Sequence, residues 1–221
     1  MPSPDDFYSD SQRKIQAEHD SVNLADAVVA AIVSDEIQEE QIEFISARDY
    51  FFLSTVNAQG EPTVSYKGGS VGMVQIVSTT KIVFPNYDGN GMFYSMGNTN
   101  ETGKVGMLFI DMETPLRVRL QGTASLSTDV DLMSRFPGAN MVVEVDVDSV
   151  FYNCARYIHK HKRVETSKYL PNDKGEQPFP AWKRIDMLQG VLQPKDIGKA
   201  ELEGGSISID QYNEKVQRGD S

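Results

Sequence analysis

Residues 116–126, "LRVRLQGTASL", set Arg117, Arg119 and Gln121 in strict alternation with Val118 and Leu120. An extended strand sends successive side chains to opposite faces, so this pattern describes a strand with one wet face and one apolar face. "VVEVDVDSVF" at 142–151 repeats it, with Val143, Val145 and Val147 opposite Glu144, Asp146 and Asp148. A helix would smear both sets around its circumference. Upstream, "FFLSTV" and "PTVSYK" flank "NAQGE", "VQIVS" and "KIVF" flank "TT", and "KVGMLFID" reads as a buried strand. The first two are hairpin signatures. Six or seven strands at this spacing predict an antiparallel sheet curled into a barrel.

The barrel has flanks of different character. In residues 10–47, "NLADAVVAAI" and "IQEEQIEFI" carry apolar residues at helical spacing, with Asp10 or Ser11, Ser21 and Asp35 as candidate caps. Residues 171–221, with "PNDKGEQPFP" and "ELEGGS", predict an irregular arm ending in a short polar helix. The chain therefore divides into a helical lead-in over 1–47, a barrel domain over 48–165 and a C-terminal arm over 166–221. Its 221 residues, 39% hydrophobic, suffice for one sizeable core.

A net charge of −11 argues against a chain that wraps nucleic acid or lies on an anionic membrane, since both would be repelled at long range. An anionic ligand must then be met by a local cluster of cations. One cysteine, Cys154, excludes an internal disulfide and fits a reducing compartment. The opening "MPSPDDFYSDSQRK" lacks the basic and apolar regions of a signal peptide, and no apolar run approaches the roughly 18 residues of a membrane span. A cytoplasmic protein is expected, and the sequon at Asn100 is a coincidence of composition.

Several motifs fail on spacing. "GNTNETGK" at 97–104 places five residues between its glycines, where a P-loop has four, and valine follows its lysine instead of the hydroxyl that would bind magnesium. Glycines at 89, 91 and 97 do not make a dinucleotide fingerprint, and the surrounding strands lack a βαβ rhythm. Cys154, His159 and His161 lie among Arg156, Lys160, Lys162 and Arg163, which disfavour a cation, so no metal centre is expected. Nor does a glycine elbow surround Cys154 to make it a nucleophile.

What remains is "FPNYDGNGMFYSMGN" at 84–98, where a strand end runs into glycines threaded with aromatics, together with "SYKGG" at 65–69, "LRVR" at 116–119 and "YNCARY" at 152–157. A flavin mononucleotide needs apolar and aromatic walls for its ring, and amides, hydroxyls and one or two cations for its phosphate. These segments supply both. They also read as a turn followed by a helix that packs on the barrel, and composition alone favours that second reading.

From about residue 44 to 170 the chain resembles the pyridoxamine 5′-phosphate oxidase-like, FMN-binding split-barrel family. The resemblance is carried by "FFLSTVNAQGEP", "KGG", "FPNYDGNGMFYSMGN", "VGMLFID", "RVRLQG" and "NCARYIHK", in that order. It implies a mainly β, α+β fold built on a six-stranded antiparallel split barrel. It also implies a homodimer with one FMN in each of two grooves at the subunit interface. On that basis Ser65, Lys67 and Gly68 fall on the strand that reaches the phosphate and ribityl chain, and Phe84, Pro85 and Asn86 on the strand end beside the ring. Asn90 and Gly91 stand where the oxidases carry arginine and lysine, so the phosphate must be neutralised elsewhere. Lys67 with Ser95 is the first expectation, and Arg156 or the backbone amides of the 88–95 loop the reserve. Arg117 falls where the family presents a polar side chain to the flavin of the neighbouring subunit.

The Trp and Arg-x-His pattern with which the oxidases bind pyridoxamine phosphate is not recognisable, and Trp182 sits in a proline-rich stretch. The resemblance thus implies an FMN-dependent oxidoreductase acting on a small molecule, with no vitamin B6 synthesis. The alternatives on the same fold are a non-catalytic FMN or haem sensor and an F420-dependent reductase.

Overall fold

The computed structural model describes residues 2–220. Seven strands form one antiparallel sheet: β1 Tyr50–Val56, β2 Pro62–Gly68, β3 Gln75–Ser78, β4 Lys81–Tyr87, β5 Lys104–Asp111, β6 Leu116–Ser127 and β7 Ala139–Asn153. Their order is β2-β1-β5-β6-β7-β4-β3. The strand beyond the expected six is β3, a four-residue edge strand hydrogen-bonded to β4 across the Thr79-Thr80 turn. Both predicted hairpins form, in register Phe52↔Tyr66 and Ile76↔Ile82.

The sheet is curled. Phe51 on β1 and Phe84 on β4 have three strands between them in sheet order, yet their rings meet edge-to-face at 5.0 Å, and Phe109 of β5 lies 5.4 Å from Phe51. Such contacts require the concave face to close on itself as a split barrel. Leu53, Ile82, Val118, Leu120, Val143 and Val145 complete that core. The alternation on β6 holds, with Val118 and Leu120 buried and Arg119 and Gln121 exposed.

On β7 the alternation breaks in two places. Val142 is buried on the opposite face from Val143, beneath Phe136 and the segment that carries the short helix at Val130–Ser134. Further on, the register with β6 slips between Gln121 and Gly122, so Val147 is only half-buried. Gly122 permits this crowding: a β-carbon there would lie 2.6 Å from Val145 Cγ1 and would collide with the Asp146 carbonyl.

The lead-in comprises α1 Pro4–Phe7, α2 Asp10–Glu18, α3 Val22–Ile32 and α4 Glu39–Ser46. Its caps differ from those expected. Ser9 caps α2 in a capping box with Gln12, Ser21 flanks α3 with its hydroxyl donated back to the Gln16 carbonyl instead of capping it, and Gln38 rather than Asp35 precedes α4. Backbone bonds between Ser34 and Val150, and from Ile37 N–H to the Thr79 carbonyl, pin the lead-in to the barrel.

After β7, residues 154–180 run without regular elements to single-turn 3-10 segments at Ala181–Arg184, Asp186–Val191 and Pro194–Asp196. The arm closes on itself through a bridge between Ile185 and Ile207 and ends in a helix at Ile209–Arg218. Among the described residues no helix is long and apolar enough to cross a membrane.

Candidate ligand groove

The groove of interest follows from the period-two pattern on edge strand β2. Val64 and Tyr66 point outward, 66% and 62% exposed, so Ser65 and Lys67 turn to the other face. There they meet the end of β4 and the start of a helix at Tyr94–Thr102 (α5), enclosing about 560 Å³. Seven of the ten anticipated residues line it: Ser65, Lys67, Gly68, Pro85, Asn86, Asn90 and Ser95. Phe84 does not; it is fully buried behind the groove, against Phe51. Met92, Phe93 and Tyr94 form an exposed apolar rim.

Each lining group is held by local chemistry. Ser65 and Ser95 bring their hydroxyls within 3.2 Å, joining strand to helix. The Asn86 amide donates to Asn140 Oδ1 at 2.8 Å, and the Asn90 side chain accepts from Met92 N–H at 3.1 Å to tighten the loop. Gly91 has φ +79°, and Phe93 adopts a left-handed φ of +48° at the N-cap of α5. Phe93 offers no side-chain acceptor, so the first amides of α5 keep unmet donors at the helix's positive end.

Lys67 is the cation of this set. No hydrogen bond or ion pair reaches its ammonium among the described residues, and burial lowers its pKa below the ordinary lysine value. A desolvated, unpaired ammonium is an unfavourable arrangement that an anion would relieve.

The other charged lining residue, Asp88, was not anticipated. Lys183 of the arm bonds it at 2.6 Å and Asp196 at 2.7 Å; Lys195 also binds Asp88, and Lys199 reaches Asp196 at 3.3 Å. Lys183 and Asp196 are each only 3% exposed. Burial opposes ionisation of both aspartates, but their lysine partners outweigh it and hold each below the usual carboxylate range. For Lys183, burial likewise opposes the charge and the two carboxylates restore it, raising its pKa. No local pattern marks these residues, because Asp88 and Lys183 are ninety-five positions apart.

The remaining two anticipated residues lie elsewhere in the chain. Arg117 stands on the convex face of β6 opposite Asn153, and its buried Nε and the Asn153 Oδ1 both lack hydrogen-bond partners among the described residues. Arg156 follows β7, its backbone N–H directed at Cys154 Sγ, a contact that lowers the pKa of that exposed thiol. Near Arg117, the convex face carries an apolar row in which Phe52 lies between Tyr66 and Leu108 across the strands. A second hollow of about 770 Å³ shares Tyr66, Gly68, Tyr87 and Asp88 with the groove. Its wall includes the stacked rings of Tyr50 and Tyr66, 5.4 Å apart, and the paired charges Arg48–Asp111 and Arg163–Asp49. Among the described residues no group of three or more His, Cys, Asp or Glu side chains is placed to hold a metal ion.

The sequence profile of the pyridoxamine 5′-phosphate oxidase family matches residues 37–154, more than half of the chain. Among curated proteins none matches. Solved structures similar to the chain include HupZ of Group A Streptococcus, at 19% identity and TM-score 0.43, covering 57% of this chain and 99% of that one. General Stress Protein 26 of Bacillus anthracis matches at 16% identity and TM-score 0.39, covering 51% and 91%. An FMN-binding protein of Syntrophomonas wolfei matches at 13% identity and TM-score 0.37, covering 64% and 97%.

Proposed function

The chain belongs to the pyridoxamine 5′-phosphate oxidase family, and from that premise we propose that its groove holds FMN and that it is a flavin-dependent oxidoreductase acting on a small molecule. The observation that carries this reading is the partly buried, unpaired Lys67 in one groove with two hydroxyls and the uncapped start of α5. That donor set suits a phosphomonoester, which takes charge from the lysine and hydrogen bonds from hydroxyls and helix amides.

Residue roles follow from placement. Lys67 and the α5 amides compensate the phosphate, while Ser65 and Ser95 bind its oxygens or the adjoining polyol. Asn86, whose amide protons are held by Asn140 Oδ1 and the Tyr87 carbonyl, offers its Oδ1 as an acceptor to the polar edge of a ring, and Pro85, Met73 and Met96 keep water from it. When bound, FMN stores an electron pair and exchanges it as hydride, so the protein need not provide an acid–base dyad. The adjoining hollow gives a substrate room beside the groove.

A homodimer belongs to the same reading. The apolar row around Phe52 and the unmet Arg117 Nε share one convex face, and a second copy would cover the first and give the second an acceptor.

The test is the absorbance spectrum of the purified protein, followed by titration with FMN. Flavin bands and saturable uptake of one FMN per chain are expected. A Soret band, or a deazaflavin spectrum with no FMN uptake after reconstitution, overturns the assignment in favour of haem or F420.

A further inference from the structure

The charges that line the groove are Lys67 and Asp88 alone, so its formal charge is zero before the arm is considered. A phosphate dianion entering a protein of net charge −11 would then find its one cation offset by a carboxylate on the same wall. The arm changes that balance. Lys183 and Lys195 both bond Asp88, one buried and one exposed, and Asp196 holds Lys183 in place from behind. Gln193, in the same stretch, approaches Gly91 closely enough that a β-carbon on the glycine would lie 3.5 Å from its amide nitrogen. The arm therefore touches the glycine loop at two points, through residues that all lie outside the span that the family profile matches.

We infer that Lys183 and Lys195 are positioning residues for an anionic ligand. By neutralising Asp88 they give the groove its net positive character and fix the 88–91 loop. The C-terminal arm is thus part of the binding site although it lends no group to the ligand directly. Neutralising a carboxylate matters most where the environment is partly desolvated, because the effective dielectric there is well below that of water. Asp88 is in such a place, with its side chain 24% exposed.

This inference rests on the FMN reading, and its test separates the two. Affinities for FMN and for riboflavin, which lacks the phosphate, are measured on the full chain, on Lys195→Met and on Lys183→Met. Lys195 is exposed and, among the described residues, pairs with Asp88 alone, while Lys183 and Asp196 keep their own bonds when it is removed. Lys195→Met should weaken FMN about threefold and Lys183→Met about tenfold or more, with riboflavin within twofold of the parent and both penalties shrinking as salt is raised. Adding Asp88→Asn to Lys195→Met should restore FMN affinity, a rescue that a purely structural role would not produce. Unchanged FMN affinity in Lys195→Met, or equal weakening for both ligands, overturns the inference and leaves the FMN assignment standing. A parent chain that takes up neither ligand overturns the FMN assignment itself, and the inference with it.

Discussion

Ser65 Oγ and Ser95 Oγ lie 3.2 Å apart, so edge strand β2 and the first turn of α5 are joined at the groove by one hydrogen bond between residues thirty positions apart. That bond spends one of the two hydroxyl protons, so the pair keeps a single proton to donate while both oxygens can still accept. Ser65→Ala and Ser95→Ala are each expected to reduce FMN affinity by about 0.5–1.5 kcal/mol, the usual net value of one hydrogen bond. The double variant should lose less than the sum, since the two side chains act as a pair. Flavin fluorescence titration of the four proteins measures this, and strict additivity would mean that the pair does not act as a unit on the ligand.

Lys67→Met should lose about 1.5–3 kcal/mol of FMN affinity while riboflavin binds as before. The pH dependence has a definite sign. Phosphate favours the protonated lysine, so the FMN advantage over riboflavin is fully present below the free-state pKa of Lys67 and is lost as pH rises from there through the higher pKa of the phosphate-bound lysine. Burial sets that pKa below 10.5. Without ligand the sign reverses, because the desolvated ammonium costs stability while charged. Lys67→Met should therefore melt no lower than the parent protein.

The convex face predicts a dimer of about 49 kDa, twice the 24.6 kDa chain. Phe52→Glu places a charge between Tyr66 and Leu108 and should yield monomers by light scattering. A parent protein that is monomeric at micromolar concentration and still holds one flavin per chain would refute the proposed assembly.

Asp111 accounts for part of the acid limb of stability. Burial raises its pKa, but bonds from the Thr114 hydroxyl and from the Thr114 and Glu113 amides, with the nearby Arg48 charge, outweigh burial and bring it to about 2 from the ordinary 3.8. A depressed carboxylate stabilises the fold above its unfolded value and loses that contribution as pH falls. The loss should run from about pH 3.8 to 2. Asp111→Asn should flatten the stability profile in that window, as read by denaturant unfolding at successive pH values.

Gly122→Ala should destabilise by about 1–3 kcal/mol, the range for overpacking, because its methyl group would press on Val145 and the Asp146 carbonyl. Thermal melting checks it.

What could be read from the chain was what is local. The turns at Asn57–Glu61 and Thr79–Thr80 set their hairpins through nearest neighbours, and Arg117 through Leu120 declared their faces by alternation alone. The family resemblance gathered Ser65, Asn86 and Ser95, which no periodicity connects. Two features escaped for physical reasons. Val142 is buried because Phe136 folds back over the outer face of β7, a tertiary event with no mark in the strand. The Asp88–Lys183 pair closes a loop of ninety-five residues, and nothing near Trp182 announces that its neighbour is a buried cation.

Between β7 and Ala181 the backbone runs through residues 154–180 without helix or strand, exposed along most of its length. The arm is therefore a tethered module whose contacts at Asp88 form at the high effective concentration that a continuous chain provides. A single protease cut in that connector would leave every contact chemically intact and yet turn an intramolecular closure into a bimolecular one. The clipped protein should keep its arm when concentrated and shed it on dilution.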